Sequence, residues 1–253
     1  MGGFKLQLSK RNPNTRAHSE SAFEEGGIWD NHQGPDQTRG FAECLHRHCY
    51  IPWREFSLLD VGCALGDALA VWHEKYPTAK LFGCDVADSA IRRCRERYAG
   101  VAHFFQASFE GISGFWDIIY CSNVLEHFEQ YLDIAEVLLA QCKLLLLLAP
   151  FAELKDGSPL GRGHHEDYHV TTLFRNSFDD LVSRGSARRV ETSVFCCPRA
   201  GWGFTPHQRL RWLLGAVLRN RYIVQEPLQI LYAIHGPACS DLDFVRDDGR
   251  YPR

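Results

Sequence analysis

Residues 58–67 read Leu58-Leu59-Asp60-Val61-Gly62-Cys63-Ala64-Leu65-Gly66-Asp67, and the order of apolar, acidic and glycine positions in this stretch decides the fold. An apolar strand runs into a carboxylate, and two glycines then turn the chain into a helix. Glycine allows unusual φ values and a close approach of backbone to a ligand. In open α/β sheets, ligands sit beyond the carboxyl ends of the strands. A dinucleotide loop needs the pattern G-x-G-x-x-G, so that a pyrophosphate can rest on the helix N-terminus. Aligned from Gly62, that pattern asks for glycine where Ala64 stands and a small residue where Asp67 stands. An anion at Asp67 would repel a pyrophosphate, whereas Asp60 and Asp67 would welcome a cofactor with a cationic amino-acid end.

Outward from this loop the chain alternates strands and helices. Strands are predicted at 56–61, 80–85, 103–106, 117–122 and 143–149, with helices at 37–49, 68–75, 89–98 and 130–141. The run Lys143-Leu144-Leu145-Leu146-Leu147-Leu148-Ala149 is apolar on both faces, as suits a central strand covered on both sides. This rhythm implies βαβ units and a doubly wound, mostly parallel sheet. Beyond Pro150 it loosens: a helix is expected at 172–183 and strands at 189–196 and 228–235. With no long crossover helix between them, these two strands predict an antiparallel sheet edge. Residues 1–19 are polar and basic, with Pro and Asn, and are expected to fray.

The second informative stretch is Leu81-Phe82-Gly83-Cys84-Asp85, 25 residues beyond Asp60. A carboxylate ending that strand can accept both hydrogen bonds of a ribose diol. The plainer reading makes Asp85 a helix cap, although Asp88 lies nearer the next helix start.

At this point the chain resembles the class I S-adenosylmethionine (SAM)-dependent methyltransferases. LLDVGCALGD is similar to that family's first motif and LFGCDVADSAI to its second. HFFQASFE (103–110) is similar to the third, and DIIYCSNVLEH (117–127) to the fourth with its following turn. The resemblance is strongest over residues 56–150; Ala64 is a departure, since the commonest family sequence has glycine there. It implies a Rossmann-like, seven-stranded sheet with an antiparallel edge hairpin, a helical N-terminal cap over 1–55 and a catalytic domain over 56–253. A variable insertion is expected at about 199–222. The resemblance further implies that Asp60 and the backbone of Gly62, Cys63, Ala64 and Gly66 hold the methionine portion of SAM. Asp85 would bind the ribose and Val86 would pack on the adenine. Ala107, Ser108 and Phe109 would border the adenine edge, and Asn123 and Val124 would lie under the methionine. S-adenosylhomocysteine (SAH) would be the product.

Methyl transfer is an in-line displacement, so the protein aligns the acceptor and removes its proton where that is a hydroxyl. His127, at the end of the fourth motif, is one candidate base; packing beside the cofactor is its alternative role. The cluster Gly163-His164-His165-Glu166-Asp167-Tyr168-His169 supplies others, and His165, Glu166 and His169 are favoured within it. Three histidines and two carboxylates also suggest a metal. The spacing lacks the i, i+4 helical pair of a zinc motif, so no metal is expected. Phe23, Trp29 and His32 are the expected inward-facing residues of a lid over 20–50. Arg209, Arg211, Arg219 and Arg221 belong either to a solvated helix face, to an interfacial helix or to a site for a phosphorylated or lipid-linked substrate.

Composition sets the remaining bounds. A net charge of −3 gives no whole-molecule attraction to nucleic acid, and the turn 123–126 lacks the Asn-Pro-Pro-Tyr type of sequence used in amino-group methylation. The 10 cysteines form no CxxC pair, which argues against a zinc ribbon. No signal-peptide core or membrane-length apolar run is present, so a reducing, cytoplasmic setting is expected. The resulting expectation is O-methylation of a small molecule, a specialised metabolite or a sugar or glycan intermediate, without a nucleic-acid partner. The alternatives are N- or C-methylation on the same fold, or a SAM-binding partner protein without catalysis.

Overall fold

A computed structural model describes residues 16–25, 28–31, 34–152, 154–155, 158–159, 169–197, 228–239 and 244–245. Three helices come first: α1 (Arg16–Phe23), α2 (Ile28–Asn31) and α3 (Gly34–His48). The alternating section follows, with β1 (Ser57–Val61), α4 (Asp67–Lys75), β2 (Lys80–Asp85), α5 (Asp88–Tyr98), β3 (His103–Gln106), β4 (Trp116–Ser122), α6 (Tyr131–Leu139) and β5 (Cys142–Pro150). A two-stranded ribbon, β6 (Leu154–Lys155) with β7 (Ser158–Pro159), precedes α7 (Asp179–Ser183), β8 (Arg189–Cys196) and β9 (Leu228–His235).

The main sheet has seven strands in the order β3-β2-β1-β4-β5-β9-β8. The first five are parallel, and β9 runs antiparallel to both β5 and β8. This is the doubly wound sheet expected from the sequence, with β9 inserted inside the edge strand β8.

Burial along β5 shows why an unbroken apolar run is a central strand. Leu144, Leu146 and Leu148 join the core beneath α3 and α4, with Leu69, Trp72 and Leu45. Leu145, Leu147 and Ala149 enter the opposite core, with Leu138 of α6 and Leu181 of α7. The side-chain period of two sends alternate leucines to opposite faces, so the part of β5 covered on both sides, 144–149, has no position left for a polar residue.

Two expectations are corrected. Residues 16–19 are not frayed but form the first half of α1. Of the helix expected over 172–183, only Asp179–Ser183 is helical. Leu173 bridges to Phe151, and the Ser177 hydroxyl accepts the Phe174 amide at 2.8 Å while the Ser177 amide donates to the Phe174 carbonyl at 3.0 Å. Ser and Asn side chains offer the backbone such local alternatives to helix, and here the turn wins until residue 179.

The N-terminal helices are tied to the sheet layer by charge and by caps. Arg39 of α3 donates to both carboxylate oxygens of Glu74 on α4, at 2.6 and 2.8 Å. Glu20 of α1 accepts the amides of Asp88 and Ser89 at 3.0 and 3.1 Å. That satisfies orphan donors at the start of α5, where a negative charge also complements the helix dipole.

Candidate active site

The strand order reverses between β1 and β4, and ligands of open α/β sheets bind in the crevice at such a point. A cavity of about 740 Å³ lies there, within the range of small-molecule sites.

Its cofactor half is built from the ends of β1, β2 and β4. Gly62 has φ +76°, and a Cβ on it would lie 2.6 Å from Val124 Cγ2. Glycine is therefore required there by both backbone and space. Ala64, the departure from the family pattern, has φ 50°, a left-handed conformation that costs a residue with a Cβ about 1 kcal/mol. Two contacts hold it: its amide donates to Asp85 Oδ2 at 3.1 Å, and its carbonyl accepts the Cys94 thiol at 3.2 Å. Asn123 is also left-handed, with φ 53°, and its side chain donates to the Ser122 hydroxyl at 3.0 Å.

Two buried carboxylates face this half. Asp60 is 2% exposed, and its Oδ2 makes no hydrogen bond among the described residues. Burial, reinforced by neighbouring Asp85, pushes its carboxyl well above the ordinary range. Asp85 accepts the Ala87 amide on Oδ1 at 3.0 Å and the Ala64 amide on Oδ2. Burial raises its pKa to about 6, against the lowering effect of backbone amides from Ala87, Ala64 and Val86. Each oxygen keeps a second lone pair for a hydroxyl donor. The described residues lining the cavity include Asp60, Asp85 and Glu110 but no lysine or arginine. Such a surface attracts a cationic ligand and repels a pyrophosphate.

Asp67 does not take part, which corrects the reading of it as a cofactor contact. It is 3% exposed, its Oδ1 accepts the Tyr98 hydroxyl at 2.7 Å, and Arg97 lies 3.2 Å from the same oxygen. The case against a dinucleotide therefore rests on Asp60, since a ribose carboxylate such as Asp85 serves nucleotide folds in general.

The structure brings Asp60, Gly62, Ala64, Asp85, Val86, Ser108, Phe109, Asn123 and Val124 to the cavity wall, together with Ala107. Cys63 and Gly66 stay off it. The Cys63 side chain enters the core, and Gly66 starts α4 with φ 81°. Phe23 and Trp29 line the opposite, cap side with Phe41 of α3.

On the acceptor side, His127 and His169 both border the cavity, with ring centroids 4.9 Å apart and nearly perpendicular. Glu126, which sequence reasoning passed over, lies behind them at 1% exposure, with Oε1 4.0 Å from His169 Nε2. Its place directly before His127 in the motif was the available signal. Gln229 of β9 also reaches the cavity; only the insertion of β9 beside β5 puts it there, so no local pattern announces it. His32, His165, Glu166 and the arginines 209, 211, 219 and 221 lie outside the described residues, as does the insertion at 199–222.

Comparisons with known proteins agree with this architecture. The model of a methyltransferase domain family matches residues 59–147. No curated protein matches the sequence. Among solved structures, the plantazolicin methyltransferase BpumL in complex with SAH is similar at 19% identity and TM-score 0.52, with 87% of this chain and 95% of that one covered. The complex of the Haloferax volcanii Trm112 methyltransferase activator with a methyltransferase matches at 15% identity and TM-score 0.58, over 83% of this chain and 95% of that one. The [4+2]-cyclase SpnF matches at 12% identity and TM-score 0.52, over 78% and 80%. At such identities these likenesses establish the fold, and the cyclase shows that one fold hosts different reactions.

Proposed function

We propose that this chain, which carries a class I SAM-dependent methyltransferase domain, transfers a methyl group to a hydroxyl of a small-molecule acceptor. The observation that carries the reading is that a single cavity is lined both by the buried carboxylates Asp60 and Asp85 and by the histidine pair His127 and His169.

The residues present fit the cofactor. Asp60 offers a buried acceptor oxygen to the cationic amino-acid portion, and Gly62 leaves room for its close approach. Asp85 suits the ribose diol, Val86, Ala107 and Phe109 supply an apolar edge for the adenine, and Ser108 a polar one. When bound, SAM would supply an electrophilic methyl carbon with the sulfonium sulfur as its leaving group. His127 and His169 would border the acceptor hydroxyl and the path by which its proton leaves. Phe23, Trp29 and Phe41 serve as a lid that excludes water and favours an acceptor with an apolar or aromatic face. His165 and Glu166, shortly before His169 in the sequence, are proposed as further residues acting on the acceptor.

The test combines binding and turnover. Calorimetry should show SAH binding at roughly micromolar Kd, about −8 kcal/mol. With a hydroxylated acceptor found by screening, His127→Ala and His169→Ala should each lower kcat by about 100-fold or more. Their SAH affinity should stay within roughly threefold of wild type, under 1 kcal/mol. Absence of SAH binding, or wild-type turnover in both variants, would overturn the assignment.

A further inference from the structure

Glu126, His127 and His169 form a cluster whose spacing in the sequence conceals it. Glu126 and His127 lie on the single 3-10 turn Leu125–His127 after β4, and His169 arrives from beyond β7. One ligand atom from each of the three lies within 4.8 Å of the others. The meeting is fixed by backbone. The amides of Val170 and Thr171 both donate to the Glu126 carbonyl, at 2.8 and 3.0 Å, and the Thr171 hydroxyl donates to the Phe128 carbonyl at 2.9 Å. The chain after His169 is thereby stitched onto the turn that carries the other two groups. The carboxylate is at the back, 1% exposed, and the two imidazoles stand between it and the cavity they line.

We propose that these three residues bind a divalent transition-metal cation, of the zinc class, with an open coordination position facing the cavity. Two imidazoles and one carboxylate with an open position is the donor set of catalytic zinc sites. Magnesium and calcium, which prefer all-oxygen shells, suit it poorly. Ligands about 2.0–2.2 Å from a tetrahedral zinc stand about 3.3 Å from one another. The present separations of 4.0 Å between His169 Nε2 and Glu126 Oε1, and at most 4.8 Å overall, close to that value by side-chain rotation. The no-metal expectation came from looking for an i, i+4 helical pair; here the fold assembles the set instead. The role assigned to the cation rests on the methyltransferase reading: the acceptor hydroxyl occupies the open position, gives its proton to water and attacks as the bound oxygen. His127 and His169 then act as ligands rather than as bases.

The test uses the full chain, stripped with chelator and titrated with zinc chloride and, separately, cobalt(II) chloride. One zinc per chain should bind, and Glu126→Gln and His169→Ala should each weaken binding by more than roughly tenfold, which is the effect of losing even an outer partner of a ligand. Bound cobalt should show a spectrum without thiolate charge transfer, which separates this site from the cysteines. His169→Asn serves as a second variant should Glu126→Gln fold poorly. No stoichiometric binding, binding unchanged in the His169 variants, or a thiolate spectrum would overturn the proposal. SAH calorimetry on the same samples is an independent readout. SAH binding without metal binding sinks the cation site alone, whereas metal binding without SAH sinks the methyltransferase reading.

Discussion

Asp85 ends β2 with each oxygen already accepting one backbone amide, at 3.0 and 3.1 Å, and only its ionised form can also accept two ribose hydroxyls. Burial holds its pKa up at about 6. A ligand that donates to the carboxylate favours the ionised state, so affinity is full above that pH and falls as pH drops through it. Calorimetry should therefore show SAH binding weakening between pH 7.5 and 5. Asp85→Asn should bind more weakly at pH 7.5, by about 1.5–3 kcal/mol, with a smaller pH response over the same interval, Asp60 supplying what remains. A wild-type affinity that ignores pH would remove Asp85 from the ribose contact. Residue identities were well legible here, because a strand ending in a carboxylate places that group at the sheet's ligand edge wherever such a sheet occurs. Orientation was not. Asp60 and Asp67 look equivalent in the sequence, yet the strand end points Asp60 at the cavity while the first turn of α4 points Asp67 at Tyr98 and Arg97. Both are acids flanking the same glycine turn, and only packing separates them.

At the scale of elements, Asp117 is the polar joint among apolar strands. It accepts the Ser57 amide at 2.8 Å, the Ser57 hydroxyl at 2.9 Å and the Lys143 ammonium at 2.6 Å, which links the starts of β1, β4 and β5. Burial alone would raise its carboxyl; Lys143 and Ser57 overcome that and hold it below the usual range. Asp117→Ala leaves the Ser57 amide and Lys143 without this acceptor, and should cost about 1–3 kcal/mol, read as a lower urea midpoint with unchanged slope. An unchanged midpoint would show that water replaces the carboxylate fully. The strands themselves were easily read, since β5 is uniformly apolar and β4 and β2 end in motif residues. The helix expected over 172–183 failed because its apolar spacing is compatible with helix while the Ser177 hydroxyl takes the Phe174 amide locally. Side-chain competition of that kind depends on neighbours such as Phe151, which no local window contains.

For the molecule as a whole, the last strand is locked to β8 by a buried ion pair. Glu191 of β8 meets His235 of β9 and also accepts the amides of Phe244 and Val245 at 3.2 and 3.1 Å. Burial pulls the His235 pKa down, but hydrogen bonds with Cys239 and Glu191 prevail and raise it to about 9, from an ordinary 6.5. A folded-state pKa above the unfolded value means stability that is fully present below about 6.5 and is lost as pH rises through about 9. The contribution is at most about 3–4 kcal/mol. Melting temperature should fall more between pH 6.5 and 10 for wild type than for His235→Gln; parallel declines would refute the linkage. The same contrast runs through the rest of the protein. Sequence alone determined the alternating fold, the glycine turn after β1 and the carboxylate that ends β2, because periodicity and strand-end position are local properties of a chain. Tertiary structure alone decided which acids face the cavity, that β9 slides between β5 and β8 to deliver Gln229, and that His169 meets Glu126 and His127. Those outcomes depend on segments far apart in sequence being held together by backbone hydrogen bonds, and a single strand or helix carries no record of what will be packed against it.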